Sequence, residues 1–283
     1  MESFWNDDPT NLLRVQPGFR LSDVDASATP GIDISKRDQT KALVEGGDIL
    51  GELQEQLFAS ATVGGGQKSI LLVLQAMDTA GKGGAVKHVM SSANPAGVRY
   101  HGFKAPTDEE RRHDFLWRVR PQLPAPGYIG IFDRSHYEDV LIARVHEIVP
   151  LEEIDARYDL INAFEREIVD AGTTIVKVML HISADEQRKR LQDRLDKPRK
   201  QWKYNPGDVT ERLRWNDYQD AYQRVFETTT TNWAPWYVVP ANHKRYARLA
   251  VQHLLIDALR SLDLEWPTPD YDVQVEKGRL AAS

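Results

Sequence analysis

The sequence contains no cysteine. Its absence excludes disulfides, thiolate catalysis, and zinc or iron–sulfur sites ligated by sulfur. The eight histidines are scattered and form no HExxH-type pair, so any metal should be a hard cation held by oxygen. No apolar run approaches the roughly 18 residues of a membrane span. The first ten residues carry Glu2, Asp7 and Asp8 where a secretory leader would be basic and then apolar, so a cytoplasmic protein is expected. Charge of one sign is also lacking: 36 basic against 42 acidic side chains leave a formal charge of −6, which argues against a globally basic nucleic-acid binder.

What is present is enough for a sizeable core: 283 residues, 41% of them hydrophobic. The reading is one domain over 1–283. An extended, Pro/Asp/Ser/Thr-rich surface arm covers 1–37, and a helix with a Gly64-Gly65-Gly66 break covers 38–66. The core spans 67–265 with a lid at about 184–207, and an extended tail covers 266–283. Strands are expected at Ser69 to Gln75, Val98 to Phe103, Tyr128 to Phe132, Thr173 to Ile182 and Trp236 to Val239, alternating with helical stretches. Such alternation implies a parallel sheet covered by helices. Three capping boxes mark helix starts: Thr107 with Glu110, Ser135 with Glu138, and Ser183 with Glu186.

Leu71-Leu72-Val73-Leu74 runs into Gln75-Ala76-Met77-Asp78-Thr79-Ala80-Gly81-Lys82-Gly83-Gly84, and an amphipathic stretch follows. Strand, glycine loop, lysine and helix make the setting of a phosphate-binding loop. Backbone N–H groups and the helix N-terminus form a positively polarised nest, and Lys82 adds a point charge. Two departures from GxxxxGK[ST] matter. Ala76 stands where the first glycine would, and Gly83 replaces the hydroxyl residue that usually binds magnesium. Asp78 is the obvious replacement, because a carboxylate in a phosphate nest needs a cation between the two anions.

Asp133 and Arg134 end the apolar strand Tyr128 to Phe132, at the carboxyl edge where open α/β sheets bind ligands. Asp133 would bind Mg²⁺ or orient the attacking oxygen, and Arg134 would neutralise the transferring phosphoryl group. Either residue alone could instead pair locally or cap the next helix.

Gln187 to Lys203 holds eight basic side chains against Asp193 and Asp196. Arg190, Arg194 and Lys197 share one helical stripe, and Leu191 and Leu195 another that can pack on the domain. A lid over phosphates competes with a solvated charged face. Trp202 and Tyr204 follow Pro198 in a loop, where they would anchor it or stack on a base. Arg99 and Lys104 near strand ends, Arg118 and Arg120 on an expected helix around Trp117, and Lys87 one turn past the loop could together line a channel for a polyanion. Trp5, Trp233 and Trp236 could serve an interface or the core.

With these residues assembled, the chain resembles the polyphosphate kinase 2 family almost end to end. The resemblance is carried by Leu13-Arg14-Val15-Gln16-Pro17-Gly18, Met77 to Gly84, Phe103-Lys104-Ala105-Pro106, Phe132 to Asp139, Gln201-Trp202-Lys203 and Val239-Pro240-Ala241-Asn242. It implies a P-loop kinase-like three-layer α/β/α fold with a central parallel five-stranded sheet and a helical lid. It also implies reversible Mg²⁺-dependent transfer between polyphosphate and AMP or ADP, with Mn²⁺ as an alternative metal, in a homo-oligomer (dimer or tetramer). Matched by motif, Asp78 and Asp133 become metal and catalytic carboxylates. Lys82 and Arg134 contact transferring phosphates, and Arg190 and Arg194 become lid arginines. Lys104 and Arg118 would belong to the phosphate-binding surroundings, and the loop and basic run themselves add Gly81, Gly83, Gly84, Lys87, Lys200 and Lys203 as phosphate-binding candidates. Ser135 to Asp139 and the arm look most like the subgroup accepting both AMP and ADP. Departures at Ala76, Gly84 and Asn216 bear on acceptor preference. Two rival readings stay open: an ATP-dependent nucleotide or sugar kinase, and a non-catalytic P-loop regulator.

Overall fold

The computed structural model describes residues 4–283, so Met1 to Ser3 of the expected arm lie outside the described residues. Five all-parallel strands form one sheet in the order β2-β3-β1-β4-β5: β1 Ser69–Ala76, β2 Val98–Gly102, β3 Ile129–Asp133, β4 Thr173–His181 and β5 Trp236–Pro240. β1 is central, and its residues Ile70 to Leu74 are almost wholly buried. Burying each such side chain contributes roughly 1.5–3 kcal/mol.

Because side chains alternate along a strand, β1 feeds two cores at once. Ile70, Leu72 and Leu74 join one apolar cluster, and Leu71 and Val73 join the other. The first cluster is closed by α2 (Lys36–Thr62), α3 (Lys82–Val89) and α10 (Lys244–Arg260), the second by α4 (Glu138–Val145), α5 (Leu151–Asp170) and α9 (Trp215–Thr229). This is a three-layer α/β/α architecture. The chain fills one side of β1 with β2 and β3, then crosses to β4 and β5. The carboxyl end of β1 is therefore a switch point, where a crevice opens.

The arm differs from the surface strap expected. Asp8 caps a short helix, α1 (Pro9–Leu13), accepting from Thr10 N at 2.9 Å. Arg14 then pairs antiparallel with Tyr237, and Val15 N donates to Trp236 O at 2.9 Å. The arm thus covers the open edge of β5, and Leu13, Val15, Leu21, Ala26 and Ile32 are buried under it. Between Pro9 and Ile32 the apolar residues are sparse and follow no helical or strand period, so no local pattern betrays which of them are buried. At the other terminus, Asp272 caps an exposed helix, α11 (Val273–Ala281), where an extended tail was expected.

Other local expectations are corrected too. Thr107 and Glu110 exchange both capping hydrogen bonds, at 2.7 and 3.2 Å, yet only a 3-10 turn follows, Glu110–Arg112. No α-helix surrounds Trp117; the next element is a 3-10 turn, Arg120–Gln122. Trp236 is wholly buried, its indole N–H donating to Thr229 Oγ1 at 3.0 Å. Trp5 packs edge-on against Tyr246 and His253, whereas Trp233 stays partly exposed beneath Arg166.

Candidate active site

The loop joining β1 to α3 is held in an uncommon backbone conformation. Gly81, at the N-cap of α3, has φ 116°, and the β-branched Thr79 has φ 65°, which L side chains disfavour. Such strain persists only where neighbours enforce it. The enforcer is Arg190, on α6 (Ala184–Asp196). Its guanidinium donates to Thr79 O at 3.2 Å and Ala80 O at 2.6 Å, to Ala241 O at 2.6 Å and Asn242 O at 3.1 Å, and its Nε to Glu186 at 2.7 Å. Gln187 adds a bond to Asp78 O at 3.1 Å.

Arg190 was expected on a phosphate-gripping stripe, but its donors are committed to the loop and it is 6% exposed. Ser183 caps α6 through Glu186 N at 3.2 Å, while the Glu186 carboxylate turns to Arg190 instead of completing the box. Arg190→Lys removes the planar fork that spans four carbonyls. With hydrogen bonds to charged groups worth about 1.5–3 kcal/mol each, the melting temperature should fall by roughly 6 °C or more, with turnover falling alongside. Lost turnover at an unchanged melting temperature would make Arg190 a phosphate contact rather than a bracket.

Opposite the loop, the end of β3 presents Asp133 and Arg134. Arg134 takes φ 64° while its N–H continues the ladder to Leu74 O at 3.0 Å. Its guanidinium bridges Asp78 Oδ1 at 3.0 Å and Glu138 Oε2 at 3.7 Å. Lys82 Nζ lies 3.8 Å from Asp133 Oδ1, and the Tyr100 hydroxyl donates to Asp133 Oδ2 at 3.0 Å. Asp78, Lys82, Asp133 and Arg134 are thereby brought together.

Glu138 belongs to this group although its spacing reads as a cap. Ser135 Oγ is engaged by Tyr137 N and the Gln75 amide, and α4 starts without a side-chain cap. Glu138 is freed to face the cleft, within reach of Gln75 at 3.0 Å when that amide turns its nitrogen toward it. Burial pushes the Glu138 carboxyl up, against the pull of Arg134 and Lys82.

The donors offered to a metal are all oxygens. Among the described residues no cluster of three or more His, Cys, Asp or Glu could cage an ion. Asp78 and Asp133, partly open to solvent, suit Mg²⁺, which is commonly held by one or two carboxylates with substrate phosphates and water completing the shell.

Cavities flank this centre on two sides, one reaching the loop at Thr79 to Gly81 and the other Arg134 and Glu138. On one side a cavity of about 200 Å³ is lined by Gly81, Gly84, Arg194, Lys200, Lys203, Lys244 and Arg248. It shares walls with a groove of about 1000 Å³ that adds Lys36, Lys189, Lys197 and Arg245. Burial and the nearby Arg190 and Lys200 pull the Lys244 ammonium down, a mark of crowded positive charge. Lys244 and Arg248 escape a reading of the sequence because they sit on α10, more than 150 residues from the loop they face.

On the other side a cavity of about 840 Å³ is both polar and apolar, lined by Lys104, Arg118, Arg134, Glu138, Phe115, Ile142 and Leu160 among others. Arg118 is buried and committed, donating to Lys104 O at 2.8 Å and pairing with Asp139 at 3.2 Å. Lys87 and Gly83 are exposed on α3 and line neither cavity. Arg99 lies over Tyr128 at 4.7 Å and Arg120 pairs with Glu167 at 2.8 Å, so neither reaches the centre.

Comparison with known proteins fits this geometry. Residues 33–266 match the family model for polyphosphate kinase 2. The chain belongs to the polyphosphate kinase 2 family. It is 45% identical over 259 residues to an AMP/ADP-polyphosphate phosphotransferase of Meiothermus ruber, covering 91% of this chain and 95% of that one. An ADP-polyphosphate phosphotransferase of Rhodopseudomonas palustris is 44% identical over 230 residues, covering 77% and 78%. The crystal structure of polyphosphate kinase 2 from Arthrobacter aurescens TC1 superposes with a TM-score of 0.96 at 54% identity, covering 99% of this chain and 98% of that one.

In this polyphosphate kinase 2 chain the basic run is less free than its composition suggests. Asp193 forms ion pairs with both Lys197 and Lys200, which hold its carboxyl down to about 2. Arg194 donates to Lys203 O at 2.9 Å and pairs with Asp208 at 3.1 Å. Leu191 packs inward while Leu195 is exposed, and α6 ends before Pro198, which opens the short α7 (Pro198–Gln201). Trp202 is 78% exposed with Lys203 over its ring at 4.9 Å, and its indole N–H ties the segment locally by donating to Arg199 O at 3.1 Å.

Behind Arg134 lies a buried polar cluster. Lys177 Nζ donates to Glu165 at 2.6 Å, Thr229 O at 2.8 Å and Tyr137 Oη at 3.0 Å. Tyr137 Oη donates to Glu165 at 2.8 Å, and His136 Nε2 lies 3.3 Å from the same oxygen. His136 and Tyr137 directly follow Arg134-Ser135, so the cluster ties the turn after β3 to β4 and α5.

Proposed function

We propose that the protein transfers the terminal phosphoryl group of inorganic polyphosphate to AMP and ADP, reversibly, by in-line displacement. The observation that carries this is the pairing of two unlike cavities at one centre. A track lined mainly by cations, with Glu186, Asp193 and Asp196 among them, leads away from the phosphate loop, and a mixed polar and apolar cavity lies across Arg134 and Glu138. The Meiothermus relative is named for phosphotransfer between polyphosphate and AMP or ADP, and the Rhodopseudomonas relative for transfer between polyphosphate and ADP, which supports this reading.

The track receives the polyphosphate, and Gly81, Gly84, Lys200, Lys203, Lys244 and Arg248 contact it. Lys82 and Arg134 lie against the moving group, and Arg194 swings toward it as the lid arginine. Arg190 acts indirectly, by holding the loop. The acceptor occupies the second cavity, with Lys104 near its phosphate. A phosphate oxygen of the nucleotide attacks the terminal phosphorus. A new P–O bond forms as the old P–O–P linkage breaks, and a chain one unit shorter leaves as a phosphate anion. The nucleophile is already anionic, so no strong general base is needed. Asp78 and Asp133 would hold Mg²⁺, or Mn²⁺, together with the phosphates, and the ion would supply neutralisation of the charge on the transferring group.

The setting we propose is the cytoplasm, with the chain self-associated as a dimer or tetramer; no helix among the described residues is long and apolar enough to cross a membrane. Light scattering on the purified protein tests the assembly. The activity is tested by incubation with Mg²⁺, long-chain polyphosphate, and AMP or ADP separately, with AMP, ADP and ATP resolved by chromatography. Product from both acceptors is expected and should vanish with EDTA. Product from ADP alone would narrow the acceptor, and product only when ATP is the donor would overturn the reading.

A further inference from the structure

Tyr100 sits on the edge strand β2, more than half exposed, and belongs to neither apolar cluster. In the parallel ladder Tyr100 is registered with Ile131, and Gly102 with Asp133. Residues two apart share a face, so these four positions lie on one side of the sheet, and a phenol leaning along its strand reaches the diagonal neighbour. It does so here, with the hydroxyl 3.0 Å from Asp133 Oδ2. Gly102 makes the room, since a Cβ there would lie 3.3 Å from the Tyr100 hydroxyl.

We infer that Tyr100 is a positioning residue for phosphoryl transfer. By occupying Oδ2 it fixes the Asp133 carboxylate about its last torsion and keeps Oδ1 turned to Lys82 and the reacting phosphates. A terminal carboxylate torsion is otherwise broad, so a single donor on one oxygen restricts it appreciably. A phenol ordinarily ionises only at about 10, so the hydroxyl is a donor across the neutral range. The inference rests on the proposed role of Asp133.

Tyr100→Phe keeps the ring and removes only the donor. Turnover should fall about tenfold, equivalent to ~1.4 kcal/mol in the barrier, with KM for polyphosphate and nucleotide within about twofold. The melting temperature should stay within about 2 °C, because the ring is exposed. Gly102→Ala leaves the tyrosine in place but displaces its hydroxyl, and should reproduce the turnover loss in part. Unchanged turnover in Tyr100→Phe, while Asp133→Asn is inactive, would overturn the Tyr100 inference and leave the Asp133 role standing. A raised KM at unchanged turnover would overturn it too, making Tyr100 a substrate contact. An active Asp133→Asn enzyme would remove the role on which both depend.

Discussion

Asp133→Asn should lower turnover by on the order of 10²–10³, the usual cost of removing one electrostatic stabiliser, while leaving the fold unchanged. Asp133 lies at the end of β3, partly exposed, and its packing neighbours are not altered by an isosteric amide. What changes is charge. An amide offers a neutral oxygen to Mg²⁺ and to Lys82, and its NH₂ cannot accept from the Tyr100 hydroxyl. Steady-state rates should collapse with circular dichroism and melting temperature intact. A variant retaining normal rates would remove Asp133 from the reaction.

Lys177→Met should have the largest effect on stability. The ammonium is completely buried with Glu165, and removing one partner of such a pair costs about 3–5 kcal/mol because the other charge is left uncompensated. For a chain of this size that corresponds to a fall in melting temperature of roughly 6–15 °C. The double variant Lys177→Met/Glu165→Leu should recover only part of the loss, since Tyr137 and His136 would then lose their acceptor. Scanning calorimetry of both variants decides the matter, and a single variant melting within about 2 °C of the parent would contradict it. Burial opposes ionisation of Glu165, but Lys177 and His136 outweigh it and hold the carboxyl below its ordinary 4.5. Its contribution is therefore complete above pH 4.5 and is lost as the pH falls through the lower folded value.

These two residues also separate what local sequence can convey from what it cannot. Asp133 was legible, because a carboxylate ending an apolar run in an alternating strand and helix pattern falls at the binding edge of a parallel sheet. Lys177 was not, since a lysine within Thr173 to Ile182 reads as a break in an apolar strand until Glu165, Tyr137 and Thr229 are seen around it. Glu138 was misread for a related reason. Its spacing from Ser135 satisfies a capping box, and nothing local reveals that Gln75 and Arg134 draw the two side chains apart.

The sequence by itself determined the five strands, the phosphate loop, the second carboxylate and the family, since each rests on periodicity, turn chemistry or contiguous motifs spanning a few residues. Only the tertiary structure decided which cations face the phosphate track, that Arg190 brackets the loop, that the arm closes the sheet edge, and that Tyr100 reaches Asp133. Those outcomes depend on elements about 30 to more than 220 residues apart meeting in space. A pattern with a period of two or 3.6 residues carries no record of the partner a side chain will find across such distances.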